Sequence, residues 1–272
     1  MICLALASPT VLAKSDSGPE LTAKAVLVLD TGTGKAVLAR NASEVRPIAS
    51  LTKLMAALVV RHRGIKLDKG TVINRDDWKV ALEGCRTRLE LNWTYSNRDL
   101  QHAALMASDN RAVSALGRAV GLHANGLVQA MNEQARRMGL RKTEFRGPVG
   151  IDPKNVSTAW EMARIVRTAS KDAALAGIMG KREHMIKPLR GYLKHYYRNT
   201  TPLVRKIKGV KFLASKTGYN SEADYCLAAV TELRGRGVFT IVILGSKSKF
   251  ARVRDLRRVI RWVKSGASKK SS

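Results

Sequence analysis

The stretch PIASLTKLMAALVV, residues 47–60, places a serine three positions before a lysine and then continues into apolar residues. Its apolar positions recur at intervals of three and four, which predicts one face of a helix. These positions are Leu51, Leu54, Met55, Leu58 and Val59. Pro47 suits a helix start, so Ser50 falls in or near the first turn. Lys53 then lies one turn further along on the same face.

This pair does not establish chemistry by itself. A second Ser-x-x-Lys sequence, Ser246 to Lys249, lies between a predicted strand and the last predicted helix. No further motif follows it, and we interpret it as a chance match. Whether Ser50 and Lys53 form a catalytic pair therefore depends on what the rest of the chain places beside them.

Both ends of the chain predict β-strands. Residues 23–40, AKAVLVLDTGTGKAVLAR, are two β-rich runs around the turn residues 31–34, which is typical of a hairpin. From Val210 onward, GVKFLAS, DYCLAAVTEL and GVFTIVILGS have the composition of strands, with RGRG at 234–237 as a turn.

The middle of the chain, from about residue 98 to 182, is rich in helical patterns. The segments DLQHAALMAS, NGLVQAMNEQARRMGL and STAWEMARIVRTAS all have helical spacing. Thr158 and Glu161 in the third segment match a capping box. Asp76 and Asp77 before Trp78 indicate a helix start rather than a pair of catalytic carboxylates.

The last predicted helix is KFARVRDLRRVIRWVK, residues 249–264. Arginines fill all of its faces except one apolar stripe. That stripe consists of Phe250, Val253, Leu256, Ile260 and Val263. We expect the helix to pack on a sheet through the stripe; a basic helix on a membrane surface is the alternative.

These patterns predict an α+β fold. The simplest arrangement returns the last strands to the first hairpin and builds one antiparallel sheet, with the helices in a lobe beside it. We expect one domain over residues 24–264, with an α/β lobe from 24–48 and 208–264 and a helical lobe from 50–200. No long linker separates the lobes, so they should share a cleft.

The two termini have different compositions from this domain. Residues 1–13 are mostly apolar and end in VLA before Lys14, so we expect the end of a truncated secretory signal, although no basic residue precedes the apolar run. A buried first segment is the alternative. No other stretch approaches the roughly 18 apolar residues of a membrane span. Residues 265–272, SGASKKSS, predict a disordered tail.

The chain is strongly basic, with 49 Lys and Arg against 21 Asp and Glu. Residues 181–216 carry a net charge of +10 and residues 245–272 one of +9, out of +28 in total. This excess suits anionic envelope polymers or lipid head groups, or it is a solvated basic face without a specific ligand. Nucleic acid is not expected, because no zinc-finger spacing and no aromatic strand of the RNA-binding type is present.

The cysteines and histidines leave several interpretations open. Cys3 lies in the expected signal, and Cys85 and Cys226 are far apart. They form a disulfide if the protein is exported, or remain two buried free thiols. Neither residue type has metal-ligand spacing, and no Gly-x-Ser-x-Gly sequence supplies a Ser–His triad.

Three short motifs occur in order along the chain. Ser50-Leu-Thr-Lys53 opens a helix, Ser108-Asp109-Asn110 follows an apolar run, and Lys216-Thr217-Gly218 ends a predicted strand. Each motif also has an ordinary structural interpretation. The first could be two polar residues on a helix, the second a helix cap, and the third a strand end with a turn. To explain all three motifs in this order and in these settings by chance requires three coincidences. The pattern therefore favours a functional constellation.

The chain resembles the penicillin-binding proteins and serine β-lactamases, which share these three motifs. The resemblance covers residues 24 to 264 and is greatest to the low-molecular-mass D-alanyl-D-alanine endopeptidase branch, the S11-like peptidases. The segments similar to that branch are RPIASLTKLM, MASDNRAV, GIDPKNVSTAWEMARI and KTGYNSEADYCL. The resemblance implies a five-stranded antiparallel sheet flanked by N- and C-terminal helices, an all-helical lobe, no cofactor and no metal.

The resemblance also implies a role for each motif residue. Ser50 would be the acyl-ester nucleophile and Lys53 its general base. A lysine is a base only when neutral, a state that burial or a nearby cation such as Lys216 favours. Ser108 would relay a proton to the leaving amine, and Asn110 would bind a substrate carbonyl or hold Lys53.

The third motif and the residue after it would bind substrate. Lys216 and Thr217, followed by Gly218, suit a carboxylate on the substrate. The backbone N–H groups of Ser50 and Tyr219 would form the oxyanion hole.

The implied activity is that of a periplasmic serine endopeptidase that cleaves DD-cross-links of peptidoglycan, with stem peptides as substrates and β-lactams as inhibitors. A DD-carboxypeptidase that removes terminal D-Ala is the alternative, because it has the same motifs. A β-lactamase is disfavoured, since Glu144 has no asparagine four residues on to complete the Glu-x-x-x-Asn pattern of the class A enzymes.

Overall fold

The computed structural model describes residues 18–81, 87–201 and 207–266. The expected signal at residues 1–13 lies outside these ranges. Cys85 and residues 267–272 of the expected tail also lie outside the described residues.

The described chain contains eleven strands, eight α-helices and one short 3-10 helix. The strands are β1 Ala25–Asp30, β2 Ala36–Arg40, β3 Arg46–Pro47, β4 Gly70–Val72, β5 Thr94–Ser96, β6 Val156–Ser157, β7 Glu183–Ile186, β8 His195–Arg198, β9 Val210–Asn220, β10 Asp224–Leu233 and β11 Gly237–Ser246. The helices are α1 Thr52–His62, α2 Arg75–Val80, α3 Asn97–Met106, α4 Asn110–Ala119, α5 Ala124–Arg137, α6 Ala159–Lys171, α7 Ala173–Met179 and α8 Lys249–Ser265, with the 3-10 helix at Ala49–Leu51.

One antiparallel sheet joins the two ends of the chain, as the sequence predicts. Its strand order is β2-β1-β11-β10-β9, so the first hairpin pairs with the last strands. Leu27 lies opposite Val242 in this register, and both face the larger apolar core. Val26 and Ile243 also face each other, but on the opposite side of the sheet. Both faces are apolar because both are covered.

Helix α8 covers one face of the sheet, but through a stripe rotated from the predicted one. Leu256 and Val263 pack in the smaller apolar core, on the same face of the sheet as Val26, whereas Phe250 is 84 % exposed. Residues advance about 100° around a helix, so Phe250 lies roughly opposite the face that begins with buried Arg252. The prediction that Phe250 belongs to the apolar stripe is therefore wrong. Polar contacts set the rotation: Asp255 accepts hydrogen bonds from Thr22 and Ser246 on the inner side of α8.

The described chain enters β1 from residues 18–24 without a helix, so an N-terminal helix flanking the sheet would fall in the part that the structure does not describe.

The other face of the sheet packs against the helical lobe, with α1 at its centre. Residues 52–60 of α1 are all buried, since the helix contacts α3, α4, α5 and α6. A helix that is apolar nearly all round requires such surroundings. The lobe also contains three two-stranded antiparallel sheets, β3–β6, β4–β5 and β7–β8. No helix among the described residues is both long and apolar enough to cross a membrane.

Two predicted helix starts differ in their hydrogen bonds. Helix α2 has a full capping box, in which Asn74 accepts from the Asp77 N–H and Asp77 accepts from the Asn74 N–H. At α6, Thr158 caps the Glu161 N–H, but the Glu161 carboxylate accepts hydrogen bonds from Lys142 and Thr143 instead. Only half of the predicted capping box is therefore formed at Thr158.

Candidate active site

Ser50 lies in the 3-10 turn that leads into α1, where the chain is closely packed on two sides. Ala49, just before it, has a positive φ of 46°, which is uncommon for a residue other than glycine. A Cβ on Gly218 would lie 2.9 Å from the Ile48 carbonyl oxygen and 3.1 Å from the Ser50 nitrogen. A Cβ on Gly150 would collide with the Ala49 carbonyl. Glycine at both positions therefore lets two segments pack on the Ser50 backbone.

Lys53 points back to Ser50 from one helical turn away. Its Nζ donates a 2.9 Å hydrogen bond to Ser50 Oγ and a 2.6 Å hydrogen bond to the Val149 carbonyl. Lys53 is 1 % exposed, whereas Ser50 is half-buried. The amine is thus held against a hydroxyl that a substrate can reach.

A second serine–lysine pair mirrors the first. Lys216 Nζ, on β9, donates a 2.9 Å hydrogen bond to Ser108 Oγ and another of 2.9 Å to the Thr217 carbonyl. Both side chains are buried. Ser108 has a φ of 64° in the short link between α3 and α4, a left-handed conformation that lets the chain reverse there.

The two residues after Ser108 begin α4. Asp109 is the N-cap, with Oδ1 accepting from the Ala112 N–H at 3.1 Å. Its Oδ2 accepts hydrogen bonds from Thr87 at 2.8 Å and Tyr197 at 3.4 Å. Burial raises the pKa of the Asp109 carboxyl. Asn110 is 2 % exposed at the first position of the helix. The helix-cap interpretation of this motif is therefore correct for Asp109, and it is compatible with a site formed by its neighbours.

Strand β9 carries the third motif along an edge of the sheet. It is the last strand of the sheet, pairs with β10, and contacts the 3-10 turn that contains Ser50. Thr217 Oγ1 shares a 2.7 Å hydrogen bond with Thr200 Oγ1. Tyr219 is 56 % exposed and stacks on Tyr225 with 4.3 Å between ring centroids. The free edge of such a strand can bind an extended peptide.

These contacts join the three motifs in one place. Gly218 contacts the Ser50 backbone, Lys216 bonds Ser108, and Lys53 bonds Ser50. A hydroxyl beside a buried amine is the arrangement of an activated nucleophile. The site can therefore support acyl transfer through Ser50.

A cavity of about 370 Å³ adjoins this cleft. Its wall includes Ala107, which precedes Ser108, and Thr200, which bonds Thr217. Its remaining lining residues are Arg88, Tyr196, Tyr197 and Arg198. The cavity thus continues the cleft with aromatic and cationic walls.

The family comparison agrees with this geometry. Residues 12–248 match the family model of peptidase S11, described as D-alanyl-D-alanine carboxypeptidase. The chain belongs to the S11 family.

Relatives in the S11 family include two endopeptidases. The chain is 32 % identical over 260 residues to the D-alanyl-D-alanine endopeptidase of Pseudomonas aeruginosa, covering 96 % of this chain and 83 % of that protein. It is 30 % identical over 258 residues to the D-alanyl-D-alanine endopeptidase of Escherichia coli K12, covering 94 % and 82 %.

Solved structures show the same fold. The Streptomyces K15 DD-transpeptidase superposes with a TM-score of 0.82 at 24 % identity, covering 92 % of this chain and 99 % of that one. The D-alanyl-D-alanine carboxypeptidase of Mycobacterium tuberculosis gives 0.82 at 23 %, covering 93 % and 95 %.

Sequence reasoning missed the loop that supports the S11 motifs. Fully buried Asn155 donates to Thr52 Oγ1 at 3.0 Å and to the Gly147 carbonyl at 2.7 Å, and its Oδ1 accepts from the Gly147 N–H. It thereby holds the loop whose Val149 carbonyl accepts from Lys53. The segment GIDPKNVSTAW contains this asparagine, but no local pattern shows which residue it contacts.

The second Ser-x-x-Lys sequence is structural. Ser246 is buried and donates a 2.9 Å hydrogen bond to Asp255, while Lys249 is exposed. The interpretation of this match as chance agrees with these contacts. Cys226 is a buried free thiol whose pKa burial raises to about 11.

Proposed function

We propose that this protein is a serine-type D-alanyl-D-alanine endopeptidase that hydrolyses the DD-cross-links of peptidoglycan through an acyl-Ser50 intermediate. The observation that carries the proposal is the 2.9 Å hydrogen bond between Lys53 Nζ and Ser50 Oγ, beside the edge of β9. The names of the P. aeruginosa and E. coli relatives support this choice of reaction.

In the proposed acylation, Ser50 Oγ attacks the carbonyl carbon of the D-Ala residue in the cross-link. Lys53, in its neutral form, accepts the hydroxyl proton as the new C–O bond forms. The backbone N–H groups of Ser50 and Tyr219 stabilise the oxyanion of the tetrahedral intermediate.

Collapse of that intermediate breaks the C–N bond and needs a proton on the leaving amine. Ser108 supplies it and takes in turn the proton that Lys53 accepted from Ser50, so that Lys53 is neutral again. Lys216, which donates a 2.9 Å hydrogen bond to Ser108, keeps its charge and holds the hydroxyl in place. Asn110 binds the amide carbonyl of the substrate. Lys216 and Thr217, held next to Gly218, bind the carboxylate beside the scissile amide.

Water then attacks the carbonyl carbon of the acyl-Ser50 ester and hydrolyses it. The neutral Lys53 removes a proton from the attacking water and returns it to Ser50 Oγ when the C–O bond to the enzyme breaks. β-Lactams acylate Ser50 by the same attack on the lactam carbonyl.

A DD-carboxypeptidase is the second candidate, since the family model carries that description. The adjoining cavity of about 370 Å³ favours the endopeptidase, because a cross-link brings a second peptide arm that must be accommodated. Arg88, whose guanidinium lies 5.6 Å from the Tyr197 ring centre, offers a cation to the carboxylates of that arm.

Rapid β-lactam hydrolysis is not part of the proposal. Glu144, which lacks the asparagine of the class A pattern, is half-exposed and pairs with Arg146 at 2.6 Å, while its backbone pairs with Val156. No contact among the described residues brings this carboxylate to Ser50.

We also propose the organisation and location of the chain. Residues 24–264 form the single catalytic domain, residues 1–13 belong to a secretory signal, and the enzyme works in the periplasm. The basic segments 181–216 and 245–272 would hold it near anionic envelope polymers or lipid head groups. High salt should release wild-type protein from cell-wall sacculi if this attraction is electrostatic.

Two measurements test the proposed activity. Intact mass after exposure to a penicillin should show one adduct on the wild type and none on Ser50→Ala, while Ser246→Ala keeps the adduct. Digestion of purified cross-linked murein should convert dimers into monomers. Release of free D-Ala without loss of dimers would assign the carboxypeptidase, and an adduct that persists on Ser50→Ala would refute the acyl-serine mechanism.

A further inference from the structure

We propose that Asp99, His102 and His184 form a binding site for a divalent metal ion of the zinc class, separate from the catalytic cleft. Asp99 and His102 lie one turn apart on the same face of α3, and His184 is on β7. One ligand atom from each residue lies within 4.8 Å of the other two.

The hydrogen bonds define which nitrogen of His102 is available. His102 Nδ1 lies 2.8 Å from the Arg98 carbonyl oxygen, which can only accept, so Nδ1 carries the hydrogen. Nε2 therefore presents a lone pair. A ligating histidine whose other nitrogen donates to a backbone carbonyl is the usual arrangement in metal sites. A metal ion binds the neutral imidazole, in which Nε2 carries the lone pair.

The three groups lie directly against one another. His184 Nε2 lies 2.8 Å from Asp99 Oδ1, and the His102 and His184 rings are stacked with centroids 3.7 Å apart. Two imidazole nitrogens and a carboxylate oxygen are a donor set that suits Zn²⁺, with water in the fourth position. Ca²⁺ and Mg²⁺ prefer all-oxygen sites.

A neighbouring ammonium group competes with the metal. Lys181 Nζ lies 3.1 Å from His184 Nδ1 and can only donate, so His184 Nε2 carries the hydrogen that faces Asp99. Metal binding at Nε2 moves the His184 proton to Nδ1, and the exposed Lys181 side chain turns to solvent. The stacked rings tilt so that both nitrogens point at the ion.

The bound ion would tie the β7–β8 hairpin to α3. Strand β8 carries Tyr197, which bonds Asp109, and α3 ends just before Ser108. The site is thus placed to stabilise one wall of the catalytic cleft without contacting substrate.

Isothermal titration of the untagged protein with Zn²⁺ tests the proposal. We expect saturable binding of one ion per chain and a rise in the thermal midpoint, since an ion that binds the folded state stabilises it. His102→Gln and His184→Gln should weaken binding at least about tenfold. Lys181→Ala should tighten it, because the competing cation is gone. His62→Gln, which removes a histidine bonded to Gln134 elsewhere, should bind Zn²⁺ like the wild type.

Co²⁺ supplies a second readout through the visible absorption of an imidazole-ligated ion. Penicillin acylation of Ser50 in each variant reports that the fold is intact. If a histidine variant fails to fold, Asp99→Asn is measured in its place. Absence of Zn²⁺ binding by the wild type, or unchanged affinity in the folded ligand variants, overturns the proposal.

Discussion

Lys216 Nζ donates a 2.9 Å hydrogen bond to Ser108 Oγ across 108 positions of sequence, and both side chains are buried. This contact joins the edge of the sheet to the helical lobe and lies next to the bond between Lys216 and the Thr217 carbonyl. It gives the hydroxyl of Ser108, in the second motif, a defined hydrogen-bond donor.

Replacing Ser108 with alanine should therefore slow acylation. We expect a loss of about 10²- to 10⁴-fold in the rate of peptide cleavage, the usual contribution of a positioned proton-transfer group. Single-turnover kinetics with a cross-linked muropeptide measures it. Ser170→Ala is the matched control, since its hydroxyl bonds the Arg167 carbonyl within α6. A Ser108→Ala rate within twofold of the wild type would remove Ser108 from the mechanism.

Gly218→Ala should impair the nucleophile without unfolding the protein. The new Cβ would lie 2.9 Å from the Ile48 oxygen and 3.1 Å from the Ser50 nitrogen, so β9 or the 3-10 turn must shift. A displacement on the order of 1 Å can cost about 100-fold in rate. The acylation rate with a penicillin is the measurement.

Gly177→Ala serves as the matched glycine control. It lies in α7 with nothing within 4 Å of the added Cβ. Its acylation rate should equal that of the wild type, and its stability should rise by about 0.5–1 kcal/mol because alanine favours the helix. Equal acylation rates for Gly218→Ala and Gly177→Ala would contradict the proposed role of the close approach.

The buried Asp109 carboxyl should make stability fall as pH rises. Its folded-state pKa is raised by burial, so between the unfolded and folded pKa values the folded protein binds more protons than the unfolded chain. Stability therefore decreases as pH increases through that window. Asp109→Asn should lose this component, so the wild type should gain stability relative to the variant on acidification. Urea unfolding at a series of pH values measures the difference.

The exposed Asp68→Asn is the control for that series. The difference in unfolding free energy between this variant and the wild type should stay constant over the pH range in which Asp109 changes the stability. Parallel pH profiles for the wild type and Asp109→Asn would show that Asp109 has the same proton affinity in both states.

Arg118→Met should strongly destabilise the helical lobe. Arg118 contacts both oxygens of the fully buried Asp77, at 2.6 and 3.1 Å. Removing one partner of a buried pair leaves an uncompensated charge and costs about 3–5 kcal/mol. Arg137→Met, which loses an exposed 3.8 Å contact with Glu133, should cost less than about 1 kcal/mol. Urea midpoints at constant m distinguish the two, and equal losses would contradict the argument.

Much of the local structure could be predicted from patterns of short range. The strand-like runs after Val210 correspond to β9, β10 and β11, and the turn residues 31–34 separate β1 from β2. Alternation and turn chemistry act over a few residues, so they are visible in the sequence. Phe250 shows the limit, because the choice between two rotations of α8 depended on the polar contacts of Asp255 with other elements.

The sequence by itself determined the Ser50–Lys53 pair, because residues three apart on a helix share a face whatever surrounds them. It also determined the order of the three motifs and the resemblance that they carry. The tertiary structure decided what those motifs contact: Lys216 against Ser108, Gly218 against the Ser50 backbone, and the Val149 carbonyl on Lys53. Such contacts depend on how the lobe packs against the sheet, and no local spacing encodes that packing.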